Sequence, residues 1–133
     1  MTFDWSRALD FERQSSAYIQ YSHARACSIL RKAAKWPEVE FSAELCTPEE
    51  RKLVMLLSKF SWVVEKCLRA LRPNTFADYL MDVASTFNDF YTKNPVIRAE
   101  KEVRMHRLAI VDACRIVLRN GLNLLGIEAV ERM

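Results

Sequence analysis

Two tyrosines and a row of cationic side chains stand close together in the stretch SSAYIQYSHARACSILRK, which covers residues 15–32. Tyr18 and Tyr21 are three positions apart, about 300° of rotation on a helix, so both rings lie on nearly one face. Arg25 follows one turn later, and Arg31 and Lys32 continue the series. Flat rings interleaved with cations can stack unpaired bases and pair with phosphates. The alternative is that both tyrosines lie at the edge of a core, with rings packed and hydroxyls in water.

A second aromatic cluster ends the stretch FADYLMDVASTFNDFYTK and consists of Phe87, Phe90 and Tyr91. It admits the same two interpretations, because large rings at helical spacing either pack in a core or offer a surface for stacking. The residues alone leave this choice open.

Catalytic chemistry finds little support in the sequence. His23 and His106 are the only histidines, and neither has a nucleophile or a second metal ligand at a characteristic spacing, so we expect surface or capping histidines. The chain has two glycines and no phosphate-binding loop motif. The cysteines form no C-x-x-C pair, which argues against a zinc site and indicates free thiols: Cys27, Cys46, Cys67 and Cys114. We therefore expect no catalytic residue and no metal site.

Length and composition predict a single globular domain over residues 1–133, half of them hydrophobic. The formal net charge of +3 is too small to indicate nucleic-acid binding by itself, so such a function must depend on where the cations lie. The N-terminal stretch MTFDWSRALDFERQ is too charged for a signal peptide, and no apolar run reaches membrane-spanning length. Together with the free cysteines, this predicts a cytoplasmic protein without a membrane partner.

Apolar residues recur with helical spacing almost throughout, which predicts an all-α bundle of about five main helices. Thr47 suits the N-cap of the second helix and Pro48 its first turn. The first helix is predicted over 17–34, and a break at Phe60–Ser61 separates the second helix from the third, with Ser61 as cap. The fourth helix is predicted to start after Pro73, with Asn74 or Thr75 as cap, and to end at Asn94–Pro95. The last helix is predicted over 98–119, with Gly121 ending it.

Four segments in order resemble the anticodon-binding domain of arginyl-tRNA synthetases, also called the DALR domain. They are YIQYSHARACSILRK, YLMDVASTFNDFY, RLAIVDACRIVLRNGLNLLGI and the terminal EAVERM. Any one of them is a weak signal, but together they cover nearly the whole chain and follow the family's order. The resemblance implies a helical bundle that binds the anticodon loop of arginine tRNA.

The resemblance also implies which residues contact RNA, because these positions match the family's motifs. Every arginine anticodon has cytosine in the middle, so such a site must read one base by its edge and stack its neighbours tolerantly. The matched anticodon contacts are Tyr18, Tyr21, Arg25, Phe87, Tyr91 and Met133. Gln20 and His23 belong to the motif as supporting residues, and Arg31, Lys32 and Lys35 are candidate phosphate contacts on electrostatic grounds.

The chain departs from the family pattern in several ways, two of which change the expected local fold or the expected activity. Residues 13–17, Arg-Gln-Ser-Ser-Ala, stand where many relatives have a loop with glycine and proline, so we expect a turn built without either residue. The ATP-handling motifs of the synthetase are absent from these residues. The resemblance therefore places ATP and Mg²⁺ with a catalytic core joined in cis, and it predicts no cofactor and no catalytic activity for this domain alone. We separately expect a monomer, a state that the sequence does not fix.

Two other functions remain open. The chain could be a free-standing adaptor of the same fold that presents tRNA to a modification enzyme. It could also be a helical protein-interaction module that no longer binds RNA, which the low net charge leaves open.

Overall fold

The computed structural model describes the backbone of residues 5–133 and the side chains from residue 16 onward, so the first four residues of the charged N-terminal stretch lie outside the described part. Five main helices follow one another: α1 Trp5–Lys32, α2 Pro48–Ser58, α3 Phe60–Ala70, α4 Pro73–Lys93 and α5 Lys101–Leu124. A short 3-10 turn, Ala43–Leu45, interrupts the connection between α1 and α2. No strand occurs within residues 5–133. The predicted all-α bundle of about five main helices is confirmed.

Helix α4 forms the centre of the bundle and contacts each of the other four main helices. Its buried residues recur at spacings of three and four, the period of one helix face: Phe76, Tyr79, Leu80, Val83, Ala84, Phe87 and Phe90. The core that they share with α1 and α5 includes Ile19, Leu108 and Leu118. Burial raises the pKa of Tyr79 to about 12, and its hydroxyl donates to the carbonyl of Leu56 at 2.7 Å.

The predicted start of α2 is confirmed in detail. The Thr47 side chain accepts from the amide of Glu50, and the Glu50 carboxylate accepts from the amide of Thr47, each at 3.2 Å. This reciprocal pair is a capping box, which satisfies two amides that the first helical turn cannot pair. Pro48 occupies the first turn as expected.

Several predicted boundaries were wrong by a few residues. Helix α3 begins at Phe60, after Lys59, so Ser61 lies inside the helix and does not cap it. Helix α4 begins at Pro73, whose fixed φ suits the first turn, so neither Asn74 nor Thr75 is its cap. Residues 13–17 lie within the continuous helix α1, so the predicted turn there was also wrong. With no glycine or proline in this segment, nothing in it opposes helix continuation.

Gly121 has a different role from the predicted one. Helix α5 continues through it to Leu124, and the residue with positive φ beyond the helix end is Gly126, at 74°. Gly121 is buried against the side chain of Leu80, and a Cβ at this position would overlap Leu80 Cδ2 and lie 2.7 Å from Cδ1. Its missing side chain lets α5 approach α4 closely.

No helix within residues 5–133 is both long enough and apolar enough to cross a membrane.

Gly121→Ala should lower the free energy of unfolding by about 1–3 kcal/mol, because the added methyl group overpacks the contact with Leu80. Urea unfolding followed by circular dichroism measures this change. The matched control, Asn120→Ala on the exposed side of α5, should stay within about 0.5 kcal/mol of wild type. Placing Gly121→Ala in a Leu80→Ala background should shrink the penalty, and an undiminished penalty there would contradict the proposed contact.

Candidate nucleic-acid interface

An open hollow of about 350 Å³ lies between the C-terminal half of α1, the end of α4 and the C-terminal residues of the chain. Helix α1 contributes most of its lining, α4 contributes Tyr91, and the tail contributes Arg132 and Met133. The residues from α1 are Tyr21, Ala24, Arg25, Ser28, Ile29, Arg31 and Lys32. Four cationic side chains and two tyrosines thus surround one concave surface, although the whole chain has a charge of only +3.

Arg25 lies between two exposed tyrosine rings at this hollow. Its Cζ atom is 5.1 Å from the centroid of the Tyr21 ring and 4.7 Å from that of the Tyr91 ring. Its Nη2 group also donates to the Tyr21 hydroxyl at 2.8 Å. Tyr21 and Tyr91 are 42% and 38% exposed, so each ring keeps solvent-facing surface. The arrangement combines aromatic faces with a cation, as single-stranded nucleic-acid sites do.

The amide of Asn88 on α4 holds Arg25 and connects α4 to α1. Arg25 Nη1 donates to Asn88 Oδ1 at 2.7 Å. Asn88 Nδ2 in turn donates to the Tyr18 hydroxyl at 3.0 Å and to Ser22 Oγ at 2.8 Å. Sequence reasoning missed Asn88, although it stands inside one of the quoted motifs. The available signal was a polar amide standing between Phe87 and Phe90 in that motif.

Side chains of α1 hold the C-terminal tail against the hollow. Gln20 Nε2 donates to the carbonyl of Glu128 at 2.9 Å, and Arg31 Nη1 donates to that of Glu131 at 3.2 Å. Between them, His23 Nδ1 lies 2.7 Å from the carbonyl oxygen of Val130. Since a carbonyl only accepts, the Nδ1 atom of His23 carries the hydrogen. These bonds bring the tail, including Met133 with 69% of its surface exposed, to the edge of the hollow.

His23 is 1% exposed, so the prediction of a surface histidine was wrong. Burial lowers the pKa of His23, because removing the ring from water disfavours its charged form, and nearby Arg115 and Arg119 act in the same direction. The hydrogen bond to the Val130 carbonyl opposes this shift but does not overcome it. The side chain therefore supports the tail as an uncharged donor near neutral pH.

The predicted contact residues divide by exposure. Phe87 is 0% exposed and packs against Phe90 in the core, with ring centroids 6.2 Å apart, so it offers no face to a base. The expected stacking role of Phe87 is thus corrected to core packing. Tyr18 is partly buried and packs against the core, with its hydroxyl bonded to Asn88, so it supports the site from beneath. This agrees with the edge-of-core alternative for Tyr18, whereas Tyr21 and Tyr91 are open to a ligand.

The three candidate phosphate contacts also differ in position. Arg31 and Lys32 end α1, are exposed and line the hollow, where their charge complements the negative end of the helix dipole. Lys35 is exposed but lies beyond the hollow, with its Nζ atom 4.3 Å from the centroid of the Trp36 ring. Arg104 covers the same ring, with its Cζ atom at 4.1 Å.

A buried polar network lies on another side of the molecule and fastens the connection before α2. Glu50 is 0% exposed, accepting from His106 Nε2 at 2.8 Å and from Arg107 Nε at 2.6 Å. The amide of Ser42 donates to His106 Nδ1 at 3.0 Å. His106 is likewise 0% exposed, so the surface position expected for it was also wrong.

The same network contains three potential metal ligands, because donor atoms of Cys46, Glu50 and His106 lie within 4.8 Å of one another. Both ring nitrogens of His106 are already bonded, however, and an amide N–H occupies Nδ1, so Nε2 must carry a hydrogen. Burial, together with the neighbouring Glu50 charge, raises the pKa of Cys46, which disfavours the thiolate that a metal would need. The cluster is organised as a structural hydrogen-bond network.

Comparisons with known proteins agree with this architecture. Residues 19–133 match the family described as the DALR anticodon binding domain. The chain is 71% identical over its full length to the arginine–tRNA ligase of Archaeoglobus fulgidus and 50% identical over 98% of its length to that of Methanocorpusculum labreanum. It covers 25% and 24% of those two proteins, so it spans about a quarter of their length.

Among solved structures, the chain is similar to the arginyl-tRNA synthetase of Thermus thermophilus, with a TM-score of 0.81 and 38% identity over 88% of this chain and 21% of that one. A putative arginyl-tRNA synthetase from Campylobacter jejuni shares the fold, with a TM-score of 0.80 at 22% identity over 90% of this chain and 26% of that one.

The lowered pKa of His23 predicts a pH-dependent stability. Unfolding returns the ring to a pKa near 6.5, so the unfolded chain binds more protons below that pH and the folded state loses stability as the pH falls. Urea unfolding between pH 8 and pH 5 should show a steeper loss for wild type than for His23→Gln, which cannot take up this proton. Parallel curves for the two proteins would contradict the assigned role of His23.

Proposed function

The chain belongs to the DALR anticodon-binding domain family, and from this premise we propose that it binds the anticodon loop of arginine tRNA as part of a longer arginine–tRNA ligase. The observation that carries the proposal is the stack of Tyr21, Arg25 and Tyr91 at a hollow bordered by Arg31 and Lys32. It provides aromatic surface, a hydrogen-bond donor and phosphate-binding charge in one place. Specific recognition of RNA loops requires these three elements.

Stacking is the first contribution in this proposal. Unpaired loop bases would place their faces on the exposed parts of the Tyr21 and Tyr91 rings. Such stacking contributes roughly 1–3 kcal/mol for each base and tolerates any base identity. This suits the flanking anticodon positions, which vary among arginine codons.

Edge recognition of the middle cytosine is the second contribution. The Watson–Crick edge of cytosine carries two adjacent acceptors, O2 and N3, whereas uracil has an N–H donor at N3. A guanidinium has five N–H donors in a planar fork and no acceptor. Asn88 and Tyr21 each take one donor of Arg25, and the remaining donors have no hydrogen bond to a described residue. We propose that Arg25 pairs with the two acceptors of the middle cytosine.

Charge is the third contribution, and it is local. Arg31, Lys32 and Arg132 line one side of the hollow, where loop phosphates would lie beside the stacked bases. Phosphate contacts release counterions, so the affinity should fall as salt rises. Lys35 extends the same row of cations beyond the hollow, where it could meet the next phosphate.

In the longer ligase, ATP and Mg²⁺ would serve a catalytic core joined in cis, outside these 133 residues. The chain itself would act in the cytoplasm as a monomeric recognition domain.

Tyr21→Ala should weaken binding of an arginine tRNA anticodon stem-loop by roughly five- to 150-fold, the equivalent of one lost base stack. Fluorescence anisotropy with a labelled stem-loop at fixed moderate salt measures the affinity, and circular dichroism verifies the helical fold. Trp62→Ala is the matched control, because Trp62 is an aromatic residue 60% exposed on α3, away from the hollow. Unchanged affinity in a folded Tyr21→Ala protein would show that the stacking assignment is wrong.

Changing the middle cytosine of the stem-loop to uracil should weaken binding by about tenfold or more, because an acceptor facing Arg25 becomes a donor. The same anisotropy assay compares the two stem-loops. Equal, salt-sensitive binding of both would indicate merely electrostatic affinity and would favour the adaptor function. Failure to bind either stem-loop at low salt would favour a protein-interaction module.

A further inference from the structure

We propose that Asn88 is a positioning residue that determines the base selectivity of the hollow by fixing the orientation of the Arg25 guanidinium. This inference rests on the proposed function, because it concerns how the same site distinguishes one base from another. Asn88 itself does not line the hollow, so it would act on the base only through Arg25.

The hydrogen bonds of Asn88 allow a single orientation of its amide. Arg25 only donates, so it requires the Oδ1 atom, which lies 2.7 Å from Arg25 Nη1. The carbonyl of Ala84 only accepts, so it requires the Nδ2 atom, which lies 3.0 Å away. Exchanging oxygen and nitrogen would break both bonds. The acceptor that faces Arg25 is therefore fixed by the backbone of α4.

The two other partners of Asn88 reinforce this orientation from α1. The two N–H groups of Nδ2 face three acceptors, the Ala84 carbonyl, the Tyr18 hydroxyl and Ser22 Oγ, so one hydrogen is shared between two of them. Ser22 donates onward to the Tyr18 carbonyl at 3.0 Å. Ser22 is 0% exposed. The acceptor for Arg25 thus belongs to a hydrogen-bond network that spans the α1–α4 contact and includes the fully buried Ser22.

The other contacts of Arg25 cannot perform this task. Cation–π attraction to Tyr21 and Tyr91 holds the guanidinium between the rings, but it tolerates rotation of the fork in its own plane. The Tyr21 hydroxyl belongs to an exposed side chain, and that hydrogen bond is exposed as well. Asn88 is the described partner that ties the fork to the rigid part of the bundle.

The consequence is a separation between affinity and selectivity. Without its hydrogen bond to Asn88, Arg25 remains a cation between two rings, so it still attracts RNA and still permits stacking. A fixed Arg25 also aims its donors at adjacent acceptors, and only this directional contact distinguishes cytosine from uracil. Loss of Asn88 should therefore reduce discrimination more than it reduces affinity.

The test measures the dissociation constant for the middle-uracil stem-loop divided by that for the arginine tRNA anticodon stem-loop. Asn88→Ala removes the acceptor, and we expect the ratio to fall by about tenfold, the scale of one hydrogen bond to a charged group. Asn88→Asp loses the bond to the Ala84 carbonyl but keeps an acceptor, now charged, for Arg25, so the ratio should return toward the wild-type value while the added negative charge weakens binding of both RNAs. Ser22→Ala is the control, because the two N–H groups of Asn88 then still have the Ala84 carbonyl and the Tyr18 hydroxyl as acceptors, and the Arg25 contact stays in place.

An RNA-free measurement accompanies the binding assay. The NMR signal of the Arg25 side-chain Nε–H group should show faster motion in Asn88→Ala than in wild type, Asn88→Asp or Ser22→Ala. Unchanged motion would overturn the inference whatever the RNA data show. Because this measurement needs no RNA, it also tests the inference if the Asn88→Ala protein folds but binds neither stem-loop.

The outcomes separate this inference from the proposed function. If wild type discriminates and Asn88→Ala discriminates equally well, the positioning role is overturned while the anticodon-binding function stands. If wild type binds both stem-loops equally, the reading of the middle cytosine is overturned and the selectivity role of Asn88 falls with it. A lowered ratio in Asn88→Ala, restored in Asn88→Asp, supports both.

Discussion

The packing of α4 against all four other main helices is the constraint on which the rest of the structure depends. One face of α4 is filled with apolar side chains down to Phe87 and Phe90, and this fixes the rotation of the helix about its axis. With that rotation fixed, Asn88 points toward α1 and Tyr91 is exposed at the hollow. The position of the candidate site therefore follows from the core. Close packing of the buried face of α4 fixes the directions in which the other side chains of this helix point.

The site is assembled from parts that are distant in sequence. Arg25 meets Asn88 across 63 positions, and His23 meets Val130 across 107. The tail is held through the backbone carbonyls of Glu128, Val130 and Glu131, to which α1 side chains bond, and its side chains Ile127 and Ala129 also pack against the core. Such long-range contacts form only once the helices have docked, because the entropy of closing these loops must be offset by packing. The hollow is consequently a property of the assembled bundle and of no single helix.

The electrostatics of the molecule are local. A net charge of +3 gives little general attraction for RNA, but Arg31 and Lys32 concentrate charge at the end of α1 beside the tail. Near neutral pH, burial keeps His23 uncharged, so it adds no positive charge to α1. The arrangement favours binding that depends on fitting the hollow rather than on overall charge.

The sequence by itself determined the helices and the residue types at the site. Helical periodicity predicted the all-α bundle, and the capping box at Thr47 was readable because its interactions are local. The spacing of Tyr21 and Arg25 placed them on a shared face, since neighbours along a helix are fixed by its geometry alone.

The tertiary structure decided which face of each helix is covered. Phe87 became core and Tyr91 became surface, although both are aromatic residues on one helix four positions apart. His23 was buried by a tail more than 100 positions away, and Gly121 proved to be a contact with α4 rather than a helix end. Asn88 contacts Arg25 and Tyr18 only because α1 packs against α4. Sequence periodicity fixes the angle between side chains on one helix, whereas their exposure depends on which other helix packs against them.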